Sequence, residues 1–241
     1  MKRTPVKTRP WKRVTLALIG VIVATGIVWV GVAAQNAQSA SPAANQAPQP
    51  AATSAGLPDM ARRLAGDPTA LGKVDAPVVM VEYADFRCPF CGIYARTTLP
   101  LLIKEYVDTG KLRIEWRDMV VYGQESMDAA VAARAAGQQG LFWQYSAAVY
   151  AGAPEHAHAD LTRAKLIEIA RQVGVPDLVS FEKGFTDAAL IAAVNADGAE
   201  GQALGVSGTP TFLVNDTPVI GAQPIEAFRA AIDAQLALKA G

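Results

Sequence analysis

Residues Ala84-Asp85-Phe86-Arg87-Cys88-Pro89-Phe90-Cys91-Gly92 hold both cysteines of this 241-residue chain. The segment before them, Pro77-Val-Val-Met-Val-Glu-Tyr-Ala84, is apolar and β-branched, the composition of a buried strand. The segment after them, from Cys91 to about Val107, reads as a helix. The pair therefore sits at a strand-to-helix junction, with Cys88 at or near the helix N-terminus. The first amides of a helix have no internal partners, and the peptide dipoles add positive charge there. A thiolate at that point is stabilised, so its pKa is expected to fall from about 8.5 into a range of roughly 3.5–7.5. Pro89 suits a first-turn position, where its missing N–H costs nothing. Cys91 lies one turn further in and closer to the core. Cys88 is thus expected to be the nucleophile and Cys91 the resolving thiol.

Two other readings compete with redox chemistry. A structural zinc site needs four ligands, usually a second Cys-x-x-Cys or a His pair. The chain has no third cysteine, and its only histidines, His156 and His158, stand in the polar stretch Gly152–Ala159. Two ligands rarely hold a metal, so that stretch reads as a surface loop and no metal is expected. A purely structural disulfide across three residues closes a tiny loop and stabilises little. Redox chemistry is favoured over both.

The N-terminus bears on the compartment. Lys2, Arg3, Lys7, Arg9, Lys12 and Arg13 make residues 1–13 a basic tail, read as cytoplasmic, and Val14 to Ala34 then runs without a charge. That stretch is long enough to span a bilayer, and the preceding positive charge would keep its start in the cytoplasm. Residues 14–34 are therefore expected to be a retained anchor or a signal segment cleaved near Ala34. Either places the rest of the chain outside the membrane, where disulfides form and persist. Residues 35–58, rich in Ala, Pro, Ser, Gln and Asn, read as a flexible linker. With the six basic residues of the tail set aside, 16 basic residues face 22 acidic ones, a formal charge of −6. An acidic remainder without basic runs gives no support to nucleic-acid binding.

Residues 59–241 suit one domain. Pro68–Gly72 reads as a turn or edge strand, Val78–Tyr83 as the first firm strand, and Pro100 as a kink or break in the cysteine helix. Leu112–Val121 reads as a strand. A helical block follows: Ser126–Gln139 with Ser126 as N-cap, Leu141–Tyr150, Leu161–Val173 capped by Asp160, then Pro176–Gly184 and Asp187–Leu204. Thr211–Val214 and Pro218–Ile220 form an expected hairpin about Asn215-Asp216, and Pro224–Lys239 an amphipathic helix.

With strand, Cys-x-x-Cys helix, helical insertion and Val206-Ser207-Gly208-Thr209-Pro210-Thr211-Phe212 in that order, the chain resembles the DsbA-like thiol–disulfide oxidoreductases of the thioredoxin superfamily. It looks most like their membrane-tethered bacterial members. The resemblance covers roughly Asp67 to Leu238 and implies an α/β thioredoxin fold. A helical domain, about residues 124–204, is expected between the β-α-β unit and the C-terminal β-β-α unit. It implies a cis Pro210 beside the cysteines, with the Thr209 backbone binding an extended substrate. It also implies that Glu82 is the family's buried acid, accepting the proton when Cys91 becomes a thiolate. An exposed strand-edge acid is the alternative for Glu82, and a trans-proline opening a strand is the alternative for Pro210.

One departure matters. The most oxidising members carry His at the second position between the cysteines, where this chain has Phe90. Phe90 cannot donate to the Cys88 thiolate, so a milder couple is expected, with a thiolate pKa not below about 4. The implied activity is disulfide donation to exported cysteine-containing proteins, without a bound cofactor. A membrane quinone-linked oxidase-like partner would recycle a monomeric enzyme. A reductase or isomerase, or a redox-inactive binding or chaperone module, are the alternatives.

Overall fold

A five-stranded mixed sheet organises residues 58–240, the part of the chain that the computed structural model describes. The basic tail, the apolar segment 14–34 and the linker as far as residue 57 lie outside the described residues. Among the described residues, no helix is long and apolar enough to cross a membrane. In chain order the strands are β1 (Ala70–Leu71), β2 (Val78–Ala84), β3 (Leu112–Asp118), β4 (Thr211–Val214) and β5 (Thr217–Ile220). In space they run β1-β3-β2-β4-β5. Only β2 and β3 are parallel; the other three pairings are antiparallel. Central β2 is buried along its whole length, which explains its near-continuous apolar run. Its alternation sends Val78, Met80, Glu82 and Ala84 to one face and Val79, Val81 and Tyr83 to the other.

The cysteine helix α1 (Pro89–Thr97) breaks at Thr98, and α2 (Leu99–Leu102) continues into a π-helical turn, Ile103–Val107. Pro100 sits in the first turn of α2, where its missing N–H is tolerated. The helical insertion follows β3 and comprises α3 (Gln124–Gly137), α4 (Phe142–Ala151), α5 (Arg163–Val173), α6 (Leu178–Gly184) and α7 (Ala188–Ala203). The last helix, α8 (Ile225–Ala240), returns to the sheet through Phe228 and Ile232. At α7 the backbone comes close to the sheet: a Cβ on Gly201 would lie 3.0 Å from the Tyr83 ring and 3.1 Å from the Met119 sulfur.

Three boundaries differ from the sequence reading, each for a local reason. α3 starts at Gln124 after Gly123, which takes a left-handed φ of 81°, so Ser126 lies inside the helix and is buried. The Thr162 hydroxyl, not Asp160, caps α5 by accepting the Lys165 amide. β3 stops at Asp118 because the amides of Val121 and Tyr122 donate to the Asp85 carboxylate instead of to a neighbouring strand.

The polar side chains of β3 are buried as well as the apolar ones. Arg113, Glu115 and Arg117 alternate with Leu112, Ile114 and Trp116, a pattern that ordinarily means one wet face. Here the segment Met60–Leu64 and helix α7 cover that face. The Glu115 carboxylate accepts from the amides of Arg62 and Arg63 at 2.9 and 2.8 Å and from Arg113 and Arg117 at 2.8 and 3.0 Å. Arg117 also reaches the Met60 carbonyl and Glu200, and the Tyr83 hydroxyl donates to Glu200 at 2.7 Å. Burial works against ionising Glu115, but the four donors outweigh it and hold its pKa down at about 2.

Because the folded pKa lies below the unfolded value of about 4.3, the Glu115 contribution is complete above that pH. It is lost as pH falls through about 2. Glu115→Ala strands two buried arginines and should cost roughly 3–5 kcal/mol at neutral pH, read by urea unfolding. The deficit should shrink below about pH 4. A neutral-pH loss under about 1 kcal/mol would contradict this arrangement.

Candidate active site

Cys88 is the N-cap of α1, with extended backbone (φ −72°, ψ 120°), and its carbonyl accepts the Gly92 amide at 3.1 Å. The three residues before it anchor the turn. The Asp85 carboxylate accepts the Arg87 amide at 2.8 Å and the Val121 amide at 2.7 Å. The Arg87 guanidinium donates to the carbonyls of Tyr122 and Ala159 at 2.8 and 2.7 Å and pairs with Glu125 at 3.2 Å. Phe86 stacks on Trp116 and Tyr150, with ring centroids 4.9 and 5.3 Å away. Asp-Phe-Arg therefore ties the cysteine turn to β3, to the loop before α3 and to the loop before α5. Sequence reasoning quoted these residues without seeing their work, since every partner is distant in the chain.

The two cysteines are free thiols in different surroundings. The Cys88 thiol donates to the Thr209 carbonyl at 3.2 Å. Its pKa is lowered to about 6, chiefly by a hydrogen bond from the Cys91 thiol. Burial opposes this, and the Thr209 side chain and the amides of Cys91 and Phe90 add to the lowering. The helix amides therefore do contribute, but the neighbouring thiol contributes more. Cys91 is fully enclosed, and burial first, then the hydrogen bond and charge of Cys88, push its pKa well above the ordinary thiol range.

The other expected residues gather around this pair. The Thr209–Pro210 peptide is cis. The Thr209 hydroxyl is buried beside the Cys88 sulfur. Glu82 is not at an exposed edge: it is 1% exposed, under α1, between Trp116 of β3 and Phe212 of β4 in the strand register. Its Oε2 has no hydrogen-bond partner, and burial raises its pKa to about 8. The charge of Glu82 is among the causes that raise Cys91, so the two sense each other. A cavity of about 30 Å³, bordered by Glu82, Trp116, Trp143, Ser146 and Tyr150, adjoins the carboxyl and has room for about one water.

A thioredoxin fold with a helical insertion, a Cys-x-x-Cys at the start of α1 and a cis-proline turn against the first sulfur define a DsbA-like thiol–disulfide oxidoreductase. A family model described as Thioredoxin matches residues 65–234, and the chain belongs to this family. The probable disulfide bond formation protein D of Bacillus cereus is 30% identical over 169 residues, 69% of this chain and 77% of the relative. The Na(+)/H(+) antiporter NhaA 1 of Salinispora arenicola is 37% identical over 173 residues, which cover 69% of this chain but 24% of that protein. The crystal structure of oxidised BdbD from Bacillus subtilis superposes with a TM-score of 0.65 at 24% identity, covering 71% of this chain and 93% of that one.

Glu82 yields a pH signature. Its folded pKa of about 8 lies above the unfolded value of about 4.3, so the folded state holds a proton that the unfolded state has lost between those values. Wild-type stability should therefore fall as pH rises through that window, by roughly 1.4 kcal/mol per unit from this group. Glu82→Gln removes this slope. In urea unfolding at a series of pH values, the variant should gain steadily on wild type between about pH 5 and 7.5. Parallel curves would show that Glu82 is not held protonated.

Proposed function

We propose that the protein donates disulfides to cysteine-containing proteins outside the cytoplasmic membrane. The unequal pair of thiols carries this reading. A substrate thiolate attacks the Cys88 sulfur of the Cys88–Cys91 disulfide, the S–S bond breaks, and Cys91 leaves with the electron pair. The protonated Glu82 carboxyl hands its proton to Cys91 and takes one back when the pair is reoxidised. A second substrate thiolate then attacks the substrate sulfur of the mixed disulfide and expels Cys88. Substrate leaves oxidised by two electrons, and the enzyme is left as a dithiol. A thiolate with pKa about 6 is a good leaving group near neutral pH and stabilises the reduced form, which makes the disulfide form the oxidant.

The substrate segment is taken to lie along Thr209–Pro210, by main-chain pairing at the turn. In support, Phe90 beside the cysteines is 58% exposed. A groove of about 190 Å³, lined by Val206, Ser207, Thr211, Leu213, Pro218 and Ile220, flanks the same turn. Attachment through residues 14–34, or release after cleavage near Ala34, would set the domain to work on exported chains. A quinone-linked membrane oxidase would restore the disulfide.

Mixed with an unfolded protein carrying scrambled disulfides, Cys91→Ser should accumulate a covalent complex through Cys88, visible on non-reducing gels, because the Cys88 thiolate opens a substrate disulfide and no Cys91 thiol remains to release it. Cys88→Ser should form none and should lose refolding activity at least a hundredfold, to about the uncatalysed level. Full refolding activity in Cys88→Ser would end the disulfide-donor reading.

A further inference from the structure

The cavity of about 30 Å³ beside Glu82 is walled on its helical side by Ala95 of α1, Leu99 of α2 and Trp143, Ser146 and Ala147 of α4. Ala147 is exposed whereas Glu82 is 1% exposed, so the cavity runs from a solvent-facing residue to the buried carboxyl. It shares no residue with the groove at the cis-proline turn. Two of its bordering side chains carry a buried polar atom that no protein group satisfies, Glu82 Oε2 and Trp143 Nε1. A third, the Ser146 hydroxyl, donates to the Phe142 carbonyl at 2.8 Å and keeps its oxygen free to accept. The indole N–H only donates, and a carboxyl donates or accepts according to its charge. One water among these groups has three hydrogen bonds, the usual number for a buried water, and the volume suits one. Cys91 and Tyr94 of α1 and Tyr150 of α4 are the titratable groups that sense the Glu82 charge. Its neighbours in the sheet, Trp116 and Phe212, carry none.

We propose that this cavity is a water site through which Glu82 exchanges its proton with solvent between α1 and α4, and that Trp143 is the positioning residue that holds the water. The proposal rests on the oxidoreductase reading, with Glu82 as its proton carrier, and adds where the proton goes. With the carboxyl protonated, the water accepts from Glu82 and Trp143 and donates to Ser146. With it ionised, the water still accepts from Trp143 and donates to Glu82, so one site serves both charge states. When the dithiol is reoxidised, Cys91 gives its proton to Glu82, Glu82 passes one to the water, and the water releases one to bulk solvent. During disulfide donation the same chain runs inward, and in neither direction does an electron move along it. Cys91 is buried and a bound substrate segment covers Thr209–Pro210, so an outlet between the helices keeps the proton moving while the cysteine face is occupied.

The test compares wild type, Trp143→Phe, Ala147→Leu and Glu82→Gln. In crystals of the reduced wild type that show ordered solvent, one water should lie within about 3.2 Å of both Glu82 Oε2 and Trp143 Nε1. A dry cavity, or a protein group bonded to either atom, would overturn the site. Trp143→Phe removes the indole donor that steadies the water against the carboxylate. The Glu82 midpoint, followed by carbon NMR of labelled glutamate and assigned by its loss in Glu82→Gln, should rise from about 8 by about half a unit. Reoxidation by oxidised glutathione at pH 7 should then slow about threefold, because about a third as many molecules hold the ionised carboxylate. In the Glu82→Gln background the same substitution should change nothing. An unmoved midpoint, or an equal loss in both backgrounds, would overturn the positioning role of Trp143. Ala147→Leu covers the outer end from an exposed position, and it still reports if Trp143→Phe fails to fold. It should leave the midpoint in place and slow exchange of the Glu82 carboxyl proton for deuterium about tenfold, read by infrared absorbance, since exchange then waits for local opening. Exchange at the wild-type rate would overturn the route. Ionisation of Glu82 near the ordinary value of about 4.3 would remove the proton carrier itself. If wild type never equilibrates with glutathione, the oxidoreductase reading has failed, which is a different result from a silent Trp143→Phe.

Discussion

The juxtaposition of two thiols one helical turn apart, one at a helix N-cap and the other sealed in the core, governs this molecule. Identical side chains acquire opposite tendencies because of where the backbone puts them. Cys88 is surrounded by groups that can donate, namely the Cys91 thiol, the Thr209 hydroxyl and two first-turn amides. Cys91 has the enclosed interior and the neighbouring thiolate against its own ionisation. The arrangement therefore stabilises one negative charge on the pair and resists a second. Glu82 completes the asymmetry from beneath. With no partner for Oε2 it is held as a neutral acid near physiological pH, a proton store next to the thiol that is hardest to ionise.

Keeping those positions requires a stiff frame, and charged side chains supply much of it. Asp85 and Arg87 bind the cysteine turn to loops on two sides. Below the turn, Asp118 and Asp197 share Arg134, joining the end of β3 to helices α3 and α7. Asp197 and Glu200 also bind Arg62, and Glu115 receives the backbone of Arg62 and Arg63. The insertion is thus locked to the sheet, and the start of the described chain is locked to both. Buried charges are costly unless every member is paired, so such a network favours one arrangement over near alternatives. Apolar contacts alone would allow more sliding between α7 and the sheet.

What the sequence made legible was chemistry with local causes. The apolar run Pro77–Ala84, the proline-bearing Cys-x-x-Cys, the break at Pro100 and the Asn215-Asp216 hairpin each announce themselves within a few residues, and the structure has all four. Gly208-Thr209-Pro210 was legible only beside the cysteine motif, through resemblance. The charged face of β3 was not legible. Leu112, Ile114 and Trp116 alternate with Arg113, Glu115 and Arg117, the pattern of a strand wet on one side. The cover comes from Met60–Leu64, about fifty residues earlier, and from α7, about eighty residues later. The packing of His158 on Tyr122 was hidden for the same reason. The histidine lies in a polar stretch that reads as surface, and only the fold brings it onto the Tyr122 ring.

The most direct measurement of the unequal pair is a pH titration of the reduced protein, following thiolate absorbance in wild type and in Cys91→Ser. One thiolate should appear in wild type with a midpoint near 6, with no second step below about pH 9. The midpoint in Cys91→Ser should be higher, because the hydroxyl replaces the thiol hydrogen bond at a longer reach. Two thiolates titrating together near the ordinary value of about 8.5 would contradict the asymmetry from which the chemistry is derived.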